Sequence, residues 1–340
     1  MPEAVSLFSG SLSSSISTEL VVKNSRLERV IILTLRSPFF DHYDRIKELA
    51  TELWPNTQFR SKSLKRKTRH IGAFGERKFP GKSSYCSRCK ATLLRTGKNF
   101  LNQVEADFLV SGEVAGGNTQ TNARMNGFSK IDKLAGVEGL VYRPLASSVA
   151  PESLPEKEER WISSRARELE GNENNLNVIL EKWGLGNEED FFNAEERCKL
   201  TKPRFRSRLK NLMEEESFNV NDLSLLDFDS YYKIPPDTKV VLGEGSEEKR
   251  ELHNYFLPKD LRVYLPTCEG PMALVRSRWR KKSNSSLRKA IKLAARIAAS
   301  KSCAGKEECV PVKYRFEHDN ETYRMDVFPL DGSKLDNLRL

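Results

Sequence analysis

Two of the six cysteines lie three residues apart, in the sequence Cys86-Ser-Arg-Cys89 at the start of a basic predicted helix. A thiol near a helix N-terminus and beside cations has a lowered pKa, and the thiolate is the form that attacks sulfur or binds a metal. One Cys-x-x-Cys pair supplies two ligands, too few for a zinc or iron–sulfur site. Cys198 is the candidate for a third, and the alternative is three ordinary buried or exposed thiols. The remaining cysteines are interpreted as packing or surface thiols: Cys268, Cys303 and Cys309.

A second candidate site is the Ser/Gly loop at residues 9–14, with the sequence Ser-Gly-Ser-Leu-Ser-Ser between an apolar strand and a helix. A strand, a turn and a helix N-terminus in this order direct backbone N–H groups towards an anion. Gly10 permits a close backbone approach, and the serine hydroxyls add donors. The loop therefore predicts a phosphate site, with plain serine capping of the helix as the alternative.

Alternating strands and helices must position both candidate sites. Strands are expected near residues 4–8, 30–35 and 106–111, and helices near 13–23, 42–54 and 87–104. This alternation predicts an α/β fold with an open parallel sheet, whose ligands bind at the carboxyl ends of the strands. Asp107 and Glu113 flank the third strand, where a carboxylate binds Mg²⁺ or a ribose hydroxyl, or is simply solvated.

The second half of the chain has a different pattern. Helices near 157–170, 173–183 and 203–215 predict a helical segment, and from about residue 218 short strands and one strong helix near 286–300 predict a small α+β domain. The expected domains are therefore 1–150, 151–217 and 218–340.

Charge and hydropathy indicate the partner and the compartment. The 340-residue chain carries a formal net charge of +10, which favours a polyanion. No apolar run has the length of a membrane span and no signal pattern opens the chain, so a cytoplasmic protein without a membrane partner is expected. Trp279 either stacks on a base or covers the core. The candidate RNA contacts lie in a basic loop over 60–82 and in a run over 276–282: Arg66, Lys67, Arg69, Arg276, Arg278, Arg280, Lys281 and Lys282.

Five sequence blocks, in order, resemble the PP-loop tRNA sulfurtransferases, a group related to the 4-thiouridine and 2-thiouridine synthases. The Ser/Gly loop itself resembles their SGGxDS signature. The blocks are SPFF at 37–40 (TPFF in the family), CSRCK at 86–90 (CxxC), ADFLVSGEV at 106–114 (ADFIxTGEV), GLVYRPL at 139–145 (GLxLRPL), and CKLT at 198–201 followed by FRSRL at 205–209 (CLLTxxxFxxRL).

The resemblance implies a HUP-type (adenine nucleotide alpha hydrolase-like) fold and an ATP-dependent tRNA thiolation. A uridine oxygen would be adenylated with Mg²⁺, and sulfur would then replace AMP. Cys86, Cys89 and Cys198 would be catalytic, holding a 4Fe-4S cluster or relaying a persulfide, with tRNA and a sulfur-donor protein as partners. The implied cofactor-binding residues are Phe8, Ser9, Gly10, Ser11, Ser13, Ser14, Gly112 and Glu113.

The departures from the family pattern lie on the nucleotide side. Ser11 replaces the second glycine of the signature, and Ser13 replaces its aspartate. A non-catalytic paralogue that binds tRNA or nucleotide is therefore the alternative to an enzyme. The sequence does not specify the uridine, the sulfur donor or the oligomeric state.

Overall fold

The structure is a computed structural model that describes residues 1–64, 83–114, 125–158, 175–215, 218–267, 269–303 and 308–340, together with Trp161, Ala166 and Leu169. The chain divides into two compact units, Met1–Arg206 and Ser207–Leu340. Among these described residues, no helix combines the length and the apolar content that crossing a bilayer requires.

The first unit contains a five-stranded sheet. Its strands are β1 (Glu3–Leu7), β2 (Arg29–Arg36), β3 (Gln58–Ser63), β4 (Phe108–Ser111) and β5 (Val141–Tyr142). They run in the order β3-β2-β1-β4-β5, and every pairing is parallel. The predicted α/β fold with an open parallel sheet is confirmed. Leu7 pairs with Leu33 and Ser111, so the segments that follow β1 and β4 leave the sheet at the same edge.

Helices cover both faces of this sheet. Along β2, Ile32 packs into one buried cluster, whereas Ile31 and Leu33 pack into another, as the two-residue period of a strand requires. The first cluster includes side chains of the helices Leu12–Val22, Tyr43–Leu53 and Leu176–Trp183, and the second includes side chains of the helices Ser83–Val104 and Met125–Ala135. The helices of this unit are α1 (Leu12–Val22), α2 (Tyr43–Leu53), α3 (Ser83–Val104), α4 (Met125–Ala135), α5 (Leu154–Lys157), α6 (Leu176–Trp183) and α7 (Ala194–Arg197).

Two predicted elements of the first unit differ from the structure. The basic stretch predicted as a loop over 60–82 begins inside β3, which pairs with β2; an edge strand tolerates charged side chains because they point to solvent. A four-residue helix over Leu154–Lys157, opened by a capping box of Ser153 and Glu156, precedes most of the helix predicted near 157–170. Residues 65–82 and most of 159–174 lie outside the described residues.

The second unit contains a six-stranded antiparallel sheet. Its strands are β6 (Ser230–Ile234), β7 (Thr238–Gly243), β8 (Leu261–Tyr264), β9 (Met272–Arg276), β10 (Val310–Phe316) and β11 (Tyr323–Val327). Across the sheet they lie in the order β11-β10-β8-β9-β7-β6. The predicted α+β character is confirmed, and β11 is an edge strand that was not predicted. The helices are α8 (Pro203–Met213), which crosses the unit boundary, α9 (Val220–Ser224), α10 (Ser246–His253), α11 (Asn284–Ala299) and α12 (Gly332–Asp336).

One face of this antiparallel sheet packs against α11. Val240, Val263 and Val312, from three different strands, form one buried cluster with Ile291 and Ala294 of α11. Serine at position 283 caps the helix by accepting a hydrogen bond from the backbone N–H of Ser286. The apolar stripe of α11 therefore supplies the core of the second unit, and the opposite sheet face is left to other elements.

Candidate functional site

A pocket lies at the carboxyl edge of the parallel sheet, where β1, β2 and β4 end. It encloses about 180 Å³. Leucine side chains and Phe8 and Phe40 form its apolar wall, and polar groups come from the Ser/Gly loop and from Lys90, Glu113 and Arg197. We call this the edge pocket. Its position is the one that a parallel sheet offers to a ligand.

The Ser/Gly loop is closed by hydrogen bonds among its own hydroxyls. The Oγ of Ser9 lies 2.9 Å from the Oγ of Ser11 and donates to the Oγ of Ser14 at 3.1 Å, and the hydroxyls of Ser11 and Ser13 are 3.2 Å apart. Ser11 is also the N-cap of α1, accepting from the backbone N–H of Ser14. Four hydroxyls and one helix N–H that were expected to face a phosphate therefore already have partners within the loop. In this structure the loop has the geometry of the capping alternative.

Gly10 is required by its surroundings. Its φ is +76°, and a Cβ added there would lie 2.8 Å from the Cγ1 of Ile46. Phe192 packs over it: its backbone N–H donates to the carbonyl of Gly10 at 2.9 Å, and its ring stacks on His42 with centroids 4.8 Å apart. Because this cover comes from a segment distant in sequence, no local pattern indicated it.

Gly112 and Glu113 serve the pocket in ways that differ from the expected cofactor contacts. A Cβ on Gly112 would lie 2.5 Å from the Cα of Ser14, so glycine lets β4 approach the first turn of α1. Glu113 accepts from the Nζ of Lys90 at 2.8 Å and from the Nε of Arg143 at 2.7 Å. Burial alone would raise the pKa of Glu113, but these two cations lower it to about 2. With each oxygen in an ion pair, Glu113 does not fit the role of a Mg²⁺ ligand.

Arg143 links this network to the core. Its side chain is 1% exposed and donates two hydrogen bonds to Asp132, at 2.6 and 3.0 Å, besides the one to Glu113. Arg143 belongs to the GLVYRPL block, and this buried arginine, held by two carboxylates, fixes Glu113, which lines the pocket.

The three candidate cysteines come within electrostatic range of one another. Cys89 is buried, whereas Cys86 and Cys198 are half-buried. Burial raises the pKa of Cys89, and the neighbouring Cys198 and Cys86 raise it further. Burial also raises the pKa of Cys198. The expectation of a lowered pKa is therefore wrong for Cys89, because α3 begins at Ser83 and Cys89 lies in its second turn, where burial outweighs the helix N-terminus.

Backbone pairing with the SPFF block positions Cys198 near Cys86 and Cys89. Phe40 and Cys198 form an isolated antiparallel bridge, the backbone N–H of Lys199 donates to the carbonyl of Phe39 at 3.0 Å, and that of Asp41 donates to the carbonyl of Arg197 at 3.0 Å. Two blocks that are far apart in sequence are thus one backbone pairing in the fold. That pairing sets Cys198 beside the start of α3.

Arg197 connects the thiols to the edge pocket. Its guanidinium lies 4.9 Å from the ring centroid of Phe40 and also lines the pocket. Burial lowers the pKa of Arg197 to about 10, an effect partly offset by Cys198 and Cys89. Its buried Nε has no hydrogen-bond partner among the described residues. A buried donor without a partner, next to two thiols, is suited to a thiolate or another sulfur anion.

The cysteines suit iron–sulfur chemistry by type but not by arrangement. Thiolates are the ligands of iron–sulfur clusters. However, the described part of the chain contains no group of three His, Cys, Asp or Glu side chains that could hold a metal ion. The three thiols are close enough to influence one another's pKa, but as arranged they do not form such a group.

The basic residues predicted to contact RNA differ in whether the structure describes them and in how exposed they are. Arg66, Lys67 and Arg69 lie outside the described residues. Arg280 is exposed, as is Lys281, and Arg278 is half-buried.

Two cations of the same run are corrected to structural roles. Arg276 bonds to Asp260 at 2.6 and 2.9 Å and to Asp222 at 2.9 Å. Lys282 bonds to Asp237 at 2.5 Å, and its side chain is 8% exposed. Both charges are neutralised inside the second unit, so neither is available to a phosphate. Trp279 packs edge-on against Phe316 at 5.4 Å as part of the core, which favours the covering interpretation over base stacking.

Comparisons with known proteins assign one part of the chain. Residues 231–339 match the family model described as the NFACT protein RNA binding domain. No curated protein matches the chain.

Several solved structures are similar at low TM-scores. One is the C-terminal part of the fibronectin/fibrinogen-binding protein from Streptococcus suis, at 15% identity, covering 87% of this chain and 97% of that one, with a TM-score of 0.29. A second is a predicted tRNA methyltransferase subunit from Methanocaldococcus jannaschii, at 15% identity, covering 58% of this chain and 96% of that one, with a TM-score of 0.31. A third is the U34-tRNA thiolase NcsA from Methanococcus maripaludis with its 4Fe-4S cluster, at 13% identity, covering 62% of this chain and 65% of that one, with a TM-score of 0.32.

Proposed function

We propose that this protein acts on RNA as a sulfur-transfer enzyme of the tRNA-thiolation type. The observation that carries the proposal is the meeting of Cys86, Cys89 and Cys198 next to Arg197, which also lines the edge pocket. Sulfur carriers and a ligand pocket at the carboxyl edge of a parallel sheet are the two parts that such a reaction needs. The match of residues 231–339 to an RNA binding domain supports RNA as the substrate class.

In this proposal ATP and the uridine to be activated bind at the edge pocket, which encloses one base, while the rest of both molecules lies along the carboxyl edge of the sheet. The apolar wall would take the base, and the first turn of α1 with Ser9 and Ser14 would face the phosphates once the hydroxyl network opens. The uridine oxygen attacks the α-phosphate, and pyrophosphate leaves. Because Glu113 is held by Lys90 and Arg143, Mg²⁺ would have to be bound by the phosphates and water.

The sulfur is transferred through a cysteine persulfide. A sulfur donor of the persulfide class leaves one sulfur atom on a cysteine, and the half-buried Cys86 and Cys198 are the accessible carriers. The terminal sulfur forms a bond to the uridine carbon, and AMP leaves with the oxygen. A second thiolate then attacks the carrier's own sulfur, which releases the thiouridine and forms a disulfide. A small thiol reductant restores the pair.

Sulfur loading of the cysteines tests this proposal. The full chain is purified anaerobically, incubated with inorganic polysulfide, and treated with cyanide, which releases persulfide sulfur as thiocyanate; iron and acid-labile sulfide are measured in the same samples. We expect loading to fall at least fivefold in Cys86→Ala and Cys198→Ala. The exposed Cys303 and Cys309 supply the control substitutions to alanine, which should leave loading unchanged. Equal losses in the controls, or no sulfur on the wild type, would contradict the proposal.

A second candidate function is an RNA-binding protein that has lost catalysis. The self-capped Ser/Gly loop and the engaged Glu113 favour it, since both occupy groups that a nucleotide would use. ATP–pyrophosphate exchange separates the two functions. Exchange that disappears in Ser14→Ala supports the enzyme, whereas no exchange and no ATP binding, with RNA binding retained, supports the second candidate.

A further inference from the structure

The second face of the antiparallel sheet is only partly covered. Opposite the α11 side, Val241 and Leu274 are fully buried, and α10 contacts β7 there. At β8, β10 and β11 the side chains on this same face are half-buried or exposed. These include Arg262, Tyr264 and Arg315.

The strand register brings cations together on this uncovered part. Arg315 lies directly opposite Arg262, and Lys313 lies between Tyr264 and Arg324. Lys249 of α10 lines the same cleft as Arg262, Tyr264 and Arg315, which measures about 520 Å³. We call Lys249, Arg262, Tyr264, Lys313 and Arg315 the open basic face.

Some charges on this surface are balanced and others are not. Arg262 bonds to Glu317 at 2.7 and 3.1 Å, and Arg324 lies 3.6 Å from Asp326. Within the described residues, Lys249, Lys313 and Arg315 make no side-chain hydrogen bond or ion pair.

The opposed pair of arginines is unfavourable in the free protein. Like charges directly opposite on neighbouring strands destabilise a sheet. Glu317 relieves the charge of Arg262 but leaves that of Arg315, so the repulsion is relieved further only by an anion from outside. A row of unpaired cations beside an aromatic ring in an open cleft is the surface chemistry that single-stranded nucleic acids bind: cations contact phosphates and the ring stacks on a base.

We propose that the open basic face binds a single-stranded segment of RNA. Lys249, Lys313 and Arg315 contact phosphates, Arg262 stays oriented by Glu317, and Tyr264 stacks on a base. RNA rather than another polyanion is inferred because these strands lie within the segment that matches an RNA binding domain. The inference therefore rests on the proposed action on RNA. It differs from the sequence-based expectation, which assigned RNA contacts to residues 276–282.

The test compares two double variants of the full chain. Lys313→Ala/Arg315→Ala removes two unpaired cations of the open basic face, and Arg288→Ala/Lys289→Ala removes two exposed cations of α11 as a matched control. Binding of a fluorescent single-stranded RNA 20-mer is measured by anisotropy between 50 and 300 mM salt. Circular dichroism verifies that both variants fold.

We expect the first variant to bind RNA at least tenfold more weakly at low salt, and the slope of log affinity against log salt to fall by about 1.4, which is about 0.7 per lost phosphate contact. The control should keep the wild-type affinity and slope. Tyr264→Ala should weaken binding without changing the slope.

The binding results distinguish a failure of this inference from a failure of the proposed action on RNA. If the wild type binds RNA and the Lys313/Arg315 variant binds equally well, the open basic face is not the RNA surface, while action on RNA stands. If the wild type binds no RNA, the proposed action on RNA fails and this inference fails with it. Tighter binding of a single-stranded DNA of the same sequence would overturn RNA as the partner.

Discussion

The edge pocket and the open basic face both contain cations, but the two sets differ in what those cations contact. Beside the pocket, Lys90 and Arg143 bond to Glu113, and Arg143 also bonds to Asp132. On the open basic face, Lys313 and Arg315 project from strands without an acidic partner among the described residues. Paired and buried charges fix the shape of a site, whereas unpaired, solvated charges remain available to a ligand.

The edge pocket and the open basic face are therefore suited to different ligands. Beside the pocket, Glu113 neutralises Lys90 and Arg143, which leaves Arg197, the neighbouring thiols and the apolar wall to determine what the pocket does. A face with excess positive charge attracts a polyanion and loses affinity as salt is added. Substitutions in each region test whether the charges beside the pocket are structural and those on the open face are not.

The largest effect is expected for Arg143→Ala. The substitution leaves Asp132 and Glu113 buried without their guanidinium partner, and breaking a buried ion pair on one side costs about 3–5 kcal/mol of unfolding free energy. Urea unfolding followed by circular dichroism measures it. A loss below about 1 kcal/mol would show that the ion pairs of Arg143 do not stabilise the fold beside the edge pocket.

A second effect is the acid dependence that Glu113 confers. Since its pKa is lowered from 4.5 to about 2 in the folded protein, its ion pairs contribute stability that is complete above the unfolded-state pKa and is lost as the pH falls from about 4.5 to 2. The loss attributable to Glu113 is on the order of 3 kcal/mol. Urea midpoints at several pH values, compared between wild type and Glu113→Gln, measure it. An equally steep fall in the variant would assign the acid sensitivity to other carboxylates.

The sequence predicted the buried strands of the fold but not its edge strands. The buried strands β1, β2 and β4 were predicted to within about two residues, because a parallel strand covered on both faces is a short, continuous apolar run. β3 and β11 were missed because both are edge strands with charged, exposed side chains, and they lack that apolar signature.

The candidate site was predictable as a set of residue types and not as a set of contacts. The spacing of Cys86 and Cys89 and the block around Cys198 identified three thiols, but their meeting depends on the pairing of Phe40 with Cys198. Likewise, the run over 276–282 was identified as basic. That Arg276 is neutralised by Asp222 and Asp260 depends on tertiary packing, which no local pattern encodes.

A smaller loss is expected for Gly112→Ala. The added Cβ would meet backbone atoms of Ser14 at 2.5 and 2.6 Å, and backbone cannot rotate away as a side chain can. Overpacking of this kind costs about 1–3 kcal/mol. Gly332→Ala is the matched control, because a Cβ there has no neighbour within 4 Å. Thermal unfolding compares the two, and equal melting temperatures would contradict the close approach of β4 to α1.

The smallest effect on stability, and the one that tests the comparison most directly, is expected for Arg315→Ala. Arg315 lies opposite Arg262 and makes no ion pair with a described residue, so its removal takes away repulsion and no attraction. The unfolding free energy should change by less than about 0.5 kcal/mol, with any change being an increase, and the increase should shrink at high salt, since screening already weakens the repulsion. Urea unfolding at 50 mM and 500 mM salt measures both effects. A loss of more than about 1 kcal/mol would mean that Arg315 holds the second unit together in the way that Arg143 holds the edge pocket, and the distinction between structural and available cations would fail at this residue.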